Sequence, residues 1–183
     1  KHGYHVYPQG PYFAPRRDGS YLALPDDPRS RREQIGKFSL KDAEAYERWE
    51  AWLGRLGGLV GPMLHEIPPK LGSKRPGDLF AQAGLAAKLR KVDVRAAFDL
   101  TRLFTASIAD FVEDRFESDA MRGVLSVSGV IGTWAGPRSA GTAYVMLHHH
   151  IGDTTWGFPR GGMGGVTQAL AASARSFGAE VRT

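Results

Sequence analysis

The chain has 183 residues, 42% of them hydrophobic and 23% charged, a composition that excludes a disordered tail and suits one folded domain with a core. It contains no cysteine, which removes disulfides, thiolate metal sites and cysteine nucleophiles together. The net charge of +5 has much of its excess in Arg16, Arg17, Arg29, Arg31, Arg32 and Lys37. No zinc-finger spacing or RRM-like aromatic motif accompanies them, so nucleic acid is not an expected partner, and a solvated basic face or an anionic lipid surface is the alternative.

No apolar h-region follows Lys1-His2-Gly3-Tyr4, and no run reaches the ~18 apolar residues that a membrane span requires. The expected location is cytoplasmic or peripheral to a membrane. The first residue is Lys and the last, Thr183, stands in what reads as a strand. Both ends suggest a piece excised from something longer.

Residues 4–24 read as extended chain. Tyr4, Val6, Tyr12, Phe13, Tyr21, Leu22 and Leu24 are strand formers, and Asp18-Gly19 predicts the turn of a β-hairpin. Pro25 to Arg32 reads as a polar connector. Ser39 then predicts the start of a helix, with Asp42 as an acidic version of the capping-box residue. Ala43, Tyr46, Trp49, Leu53, Leu56 and Val60 follow at helical spacing, and Gly57, Gly58, Gly61 and Pro62 end the helix. Core packing is the expected use of its aromatic stripe.

Pro68-Pro69 and Gly72 to Gly77 make a break, and residues 78–90 a short helix. Asp93 reads as the N-cap of a long helix carrying Val94, Ala97, Thr101, Phe104, Ile108, Phe111 and Phe116 toward the core. Ser118-Asp119 restarts a helix to about Ile131, and Gly123 to Gly136 reads as buried helix. Ser139 is a cap for a further helix from Gly141 to about His150. Trp156-Gly157-Phe158-Pro159 is extended and leads into Arg160-Gly161-Gly162-Met163-Gly164-Gly165. The helix after it carries Val166, Leu170, Ala174 and Phe177 on one face, stops at Gly178, and gives way to a strand over Ala179 to Thr183. The expected fold class is α+β: mostly helical, with β-structure at the chain ends.

Four constellations bear on chemistry. The glycine run fits neither nucleotide fingerprint: a G-x-G-x-x-G pattern beginning at Gly162 meets Thr167 where its third glycine belongs, and no Gly-Lys-Ser/Thr ends the run. What remains is a strand, a glycine turn and a helix N-terminus whose N–H groups face an electronegative partner, or simply a tight turn. His148-His149-His150 cannot converge on one ion from a helix, and the i+4 positions Gly152 and Thr154 offer no ligand, so no metal is expected. Glu113-Asp114 and Glu117-Asp119, near Arg115 and Arg122, read as an ion-paired surface. No nucleophile elbow is present.

The run from Ile131-Gly132-Thr133-Trp134 through Ser139-Ala140-Gly141-Thr142-Ala143-Tyr144-Val145-Met146-Leu147-His148-His149 resembles a stretch of the phytoene dehydrogenase-like flavoproteins. That group takes in β-carotene ketolase-type enzymes and pyridine nucleotide-disulphide oxidoreductase domain-containing relatives. Trp156-Gly157-Phe158-Pro159-Arg160-Gly161-Gly162-Met163-Gly164 is similar to the group's aromatic-P-x-G-G-M-G motif, and Phe38-Ser39-Leu40-Lys41-Asp42-Ala43-Glu44-Ala45-Tyr46 to its entry into the first middle helix.

The resemblance implies that residues 1–183 are the substrate-binding section of an FAD-dependent oxidoreductase, covering an apolar tunnel that leads to the flavin. It lacks the Rossmann-type part, so FAD is expected in the full-length enzyme and none in this stretch alone. Arg160, Gly161, Gly162 and Met163 are the candidates for proximity to the cofactor. Trp134, Tyr144, Met146 and Trp156 are the candidates for the substrate, an apolar small molecule with isoprenoids among the options. No catalytic residue is named, because a flavin enzyme leaves the hydride chemistry to its cofactor. Peripheral membrane contact and self-association through an exposed domain interface are the expected further partners. The alternative is a cofactor-free module that binds a lipid or a protein.

Overall fold

The computed structural model describes residues 2–90, 92–151 and 156–182. The chain is α+β and mostly helical, and it divides into two compact units, residues 12–152 and residues 1–11 with 153–183.

The larger unit opens with a hairpin. Strand β2 (Tyr12–Pro15) pairs antiparallel with β3 (Tyr21–Leu24), Tyr12 opposite Leu24 and Pro15 opposite Tyr21. At the turn the Asp18 carboxylate accepts from the Ser20 N–H at 3.0 Å and from its hydroxyl at 2.6 Å, which closes the loop locally. Leu22 and Leu24 point into the core.

Where a polar connector was expected, α1 spans Pro28–Gly36. Asp27 accepts from the Ser30 N–H at 2.8 Å, and Pro28 occupies the first turn, where a missing N–H costs nothing. Asp-Pro followed by charged residues is a helix start that hydrophobic periodicity does not reveal, because Ile35 is the helix's one buried residue.

Helix α2 (Leu40–Val60) starts at Ser39 as expected and buries Ala43, Trp49, Leu53, Leu56 and Val60. It runs through Gly57 and Gly58 and ends at the expected Gly61-Pro62, where Gly61 is its C-cap and the chain tightens into a 3₁₀ turn over Gly61–His65. Helix α3 (Pro76–Leu89) follows with no buried residue.

The long helix expected after Asp93 is two helices. Asp93 caps α4 (Val94–Thr105), and Ser107 caps α5 (Ile108–Glu113) in a reciprocal capping box with Asp110. The break shifts the helical phase, so Leu103, Ile108 and Phe111 are buried while Val94 and Phe104 are exposed. Helix α6 (Asp119–Val127) is capped by Ser118 and stops short of Ile131. Residues 128–141 are turns and bends instead of buried helix. Helix α7 (Thr142–His149) is entered through Gly141 at φ +83°, so Ser139 is not its cap. The Ser139 carbonyl accepts from the Thr142 hydroxyl at 2.7 Å instead.

The core gathers Trp49 and Phe111 with Leu22, Ile35, Leu53, Leu56, Met121, Met146 and Leu147. Trp49 packs edge-on to Phe116, and Trp52 stacks on Phe111. The Arg115 guanidinium lies 4.7 Å from the Trp52 ring centre and 4.9 Å from that of Phe111. Its desolvation, with Arg102 nearby, lowers its pKa. Trp52 donates its indole N–H to Asp99 at 2.8 Å. The aromatic stripe of α2 is thus part of the core.

In the smaller unit β1 (Val6–Pro8) pairs antiparallel with β4 (Gly157–Pro159), Val6 opposite Pro159 and Pro8 opposite Gly157. Helix α8 (Gly162–Ser176) ends in Gly178 at φ +87°, the left-handed stop expected there. Leu170 and Phe177, assigned to its inward face, are exposed, and Ala169 is buried. Ala179 to Arg182 pair with no strand. Thr183 lies outside the described residues.

Candidate functional site

The smaller unit builds one concave feature from its glycine run. The β1–β4 ribbon is held at its ends by the Gln9 N–H on the Trp156 carbonyl at 2.7 Å and the Arg160 N–H on the His5 carbonyl at 2.9 Å. The second bond fixes the point at which the chain leaves β4. Gly161 then turns left-handed at φ +79° and Gly162 at φ +63°, conformations that cost an L side chain roughly 1–2 kcal/mol. Gly165 folds back so that its N–H reaches the Gly161 carbonyl at 3.1 Å. A Cβ at Gly165 would collide with the Arg160 carbonyl oxygen.

The N-terminus of α8 therefore carries no side-chain cap, and its first-turn N–H groups form a patch of positive potential. Beside it lies a recess of about 540 Å³ lined by His2, Arg160, Gly161, Gly164, Gln168 and Ala172, among others. Met163 stands exposed on the first turn. Backbone donors, a guanidinium and a carboxamide around one recess suit an electronegative group. They do not suit a dinucleotide pyrophosphate. That site needs a parallel strand leading into a G-x-G-x-x-G turn, and β4 is a three-residue antiparallel strand followed by a different spacing.

The larger unit has its own groove of about 850 Å³ between α5, α6 and the turns after them. Ala109, Val112, Val127 and Val130 make its floor, and Arg122 and Arg138 stand at its margin. Arg138 pairs with Glu113 at 2.6 Å and Arg122 donates to the Phe116 carbonyl at 2.7 Å. Sequence reasoning passed over this groove. Its signal is the small and apolar series Gly123, Ser126, Val127, Val130, spaced for one helix face.

The four residues expected at the substrate have different surroundings. Tyr144 stacks on Phe104 with ring centres 4.6 Å apart. Met146 is 1% exposed, inside the core, whereas Trp134 is fully exposed among the turns. Trp156 belongs to the smaller unit and is about half exposed. Neither Trp134, Tyr144 nor Met146 lines the groove.

His148 and His149 end α7, and His149 Nδ1 lies 3.0 Å from the Ser128 carbonyl. Among the described residues no group of three His, Asp or Glu side chains is placed to hold a metal ion. The i+4 positions Gly152 and Thr154 lie outside them. The acidic pairs sit in ion pairs, Glu113 with Arg138, Asp114 with Arg102, Glu117 with Lys41 and Asp119 with Arg122. Part of the basic cluster is similarly engaged: Arg31 with Glu50, Arg32 with Glu44 and Glu47, and Arg16 with Asp18. Tyr46, close to Arg31 and Glu50, has its hydroxyl pKa raised, first by burial and then by the Glu50 charge.

No family model matches the chain. Over its full length it is 30% identical, in 203 aligned positions, to pyridine nucleotide-disulfide oxidoreductase domain-containing protein 2 of Rattus norvegicus. The Mus musculus protein of that name is similar to the same extent. The chain spans 35% of the length of either protein. An uncharacterized protein of Mycobacterium tuberculosis is 40% identical over 70 residues, 36% of this chain and 13% of that protein. The likeness to the rat and mouse proteins supports an oxidoreductase relationship at a coarse level.

Proposed function

We propose that this chain is the substrate-binding section of an FAD-dependent oxidoreductase, and that the open N-terminus of α8, with Arg160, faces the polar edge of the flavin. The observation that carries the reading is the full-length similarity to an oxidoreductase-domain protein. The uncapped glycine turn gives it a physical form. In this reading Arg160 brings the positive charge, and the uncapped turn from Gly161 through Gly162 and Met163 brings the backbone donors, that would steady a reduced, electron-rich ring. Bound flavin would supply the hydride chemistry. The chain's part is to hold an apolar substrate, exclude water and present fixed donors.

The groove of the larger unit, about 850 Å³ with valines in its floor, would be the place for such a substrate. A carotenoid or another isoprenoid fits that chemistry, as do other long apolar molecules. Trp134, Tyr144, Met146 and Trp156 do not line this groove, so the reading gives them no contact with a substrate held there.

The test is the visible spectrum of a polypeptide of the relatives' length that carries this chain, purified without added cofactor. Flavin bands at one per polypeptide are expected. A colourless, folded protein loaded with lipid would overturn the reading in favour of a cofactor-free binding module.

A further inference from the structure

Residues 61–90 form an excursion in which nothing folds inward. Pro76 and Asp78 open α3, yet no residue of the helix is buried. The side turned toward its own chain is identified by hydrogen bonds. The Gln82 carboxamide donates to the Lys70 carbonyl at 2.8 Å and the Ser73 carbonyl at 3.1 Å, and Asp78 accepts from the Ser73 hydroxyl. Asp78, Gln82 and Leu85, at spacings of four and three, are the partly covered residues.

The opposite face carries Leu79, Phe80, Ala83, Ala86 and Ala87, every one exposed. No charge interrupts it over three turns. Phe80 is 79% exposed, and in the loop before the helix Ile67 is 94% and Leu71 77% exposed. Helices apolar on the outside are normally covered.

The charges around this face indicate what covers it. Five cations in the excursion, Lys70, Lys74, Arg75, Lys88 and Arg90, stand against two carboxylates, Glu66 and Asp78. Both carboxylates are engaged within the excursion, Glu66 with Lys88 and Asp78 with Ser73. Lys70, Lys74, Arg75 and Arg90 are exposed and, among the described residues, hold no ion pair. Lys74-Arg75 precede the apolar face and Arg90 follows it, so cations bracket it at both ends.

At fourteen residues, α3 is about 21 Å long, and no helix of the described chain is long and apolar enough to cross a membrane. A short helix with one apolar face and cations at its ends suits the plane of an interface. Its apolar residues sit below the headgroups, and its lysines and arginines extend to the phosphates.

We propose that the outward face of α3, centred on Leu79 and Phe80 and bracketed by Lys74, Arg75 and Arg90, docks on an anionic lipid surface. No residue of this face belongs to the glycine turn or lines the groove, so this proposal stands or falls apart from the flavin reading.

Vesicle co-sedimentation of the 183-residue chain tests it, with vesicles of phosphatidylcholine alone and of phosphatidylcholine mixed with phosphatidylserine. Binding is expected only to the mixed vesicles and is expected to fall at high salt. Phe80→Glu, at a position whose side chain packs on nothing inside, should reduce partitioning about tenfold or more without changing the circular dichroism spectrum. Replacing Lys74 and Arg75 by glutamine should reduce it about fivefold per charge. The same binding to both vesicle types, or binding to mixed vesicles untouched by both sets of substitutions, would overturn the proposal. So would an associated wild-type protein that Phe80→Glu renders monomeric while neither pellets with vesicles, since a second copy would then be the occupant.

Discussion

Two helix starts in this molecule are built in opposite ways. Where α2 begins, Ser39 caps the helix and Asp42 follows in its first turn, but the Asp42 carboxylate does not return to the Ser39 N–H as a capping box would have it. It is fully buried and reaches across to α6, accepting from the N–H groups of Glu117 at 2.8 Å and Ser118 at 2.9 Å and from the Ser118 hydroxyl at 2.5 Å. Ser118 in turn accepts from the Met121 N–H, and Ser39 donates to Glu117 at 2.7 Å. At this junction a side chain closes the backbone donors. Where α8 begins, Gly161 has no side chain to offer and the donors stay open. The first arrangement spends its polar groups on joining two helices. The second leaves them for something outside, and that contrast separates a stability device from a candidate site.

The largest effect should come from the closed junction. Asp42→Ala leaves three donors without their acceptor in a buried place, and should cost about 3 kcal/mol or more of unfolding free energy. Urea denaturation followed by circular dichroism measures it. A loss within error of zero would remove Asp42 from the joint. Ser118→Ala should cost about 1 kcal/mol. The double variant should lose less than the two single losses added, because both residues share one hydrogen-bond network.

The open start should respond differently. Gly165→Ala drives a Cβ into the Arg160 carbonyl, a strain of about 1–3 kcal/mol. Hydrogen exchange should quicken along Val166 to Ala174 and leave α2 unchanged. Equal acceleration in both regions would show that the two starts are not independent.

The smallest effect is a pH dependence. The Ser39 hydroxyl and then the Lys41 ammonium hold the Glu117 carboxyl below the usual range. Hydrogen bonds from Ser107 do the same for Asp110, and those from Ser30 for Asp27. The folded state thus favours the charged forms. Their contribution is present above the unfolded carboxylate values of about 4 and is lost as pH falls through the lower folded ones. Glu117→Gln should flatten the acid limb of a stability-against-pH curve slightly. An unchanged limb would contradict the role given to Ser39 and Lys41.

Much of this architecture is legible in the residues alone. Asp18-Gly19, Ser39, Asp93, Ser118 and Gly178 each mark a turn or a helix boundary with local chemistry, and each stands where that chemistry put it. Two of the failures share a cause. Periodicity read through Thr105–Ser107 and through Val127–Gly136 as though the helices continued, because the apolar spacing happens to persist across both breaks. Ser107-x-x-Asp110 was the available sign of the first.

Asp42 shows the other limit. Its type and spacing fit a local cap, and only the fold brings α6 within its reach. The groove was hidden for the same reason, since its floor draws Ala109 and Val112 from one helix and Val127 and Val130 from around the end of the next.

The most direct test of the open helix start is the midpoint potential of flavin bound to a polypeptide of the relatives' length that carries this chain, compared with its Arg160→Ala variant. Removing a positive charge beside the ring should disfavour the reduced, more negative state, so the variant's potential should fall while its flavin content stays the same. An unchanged potential and an unchanged flavin spectrum in a folded, flavin-loaded variant would contradict the placement of Arg160 and the α8 N-terminus against the cofactor.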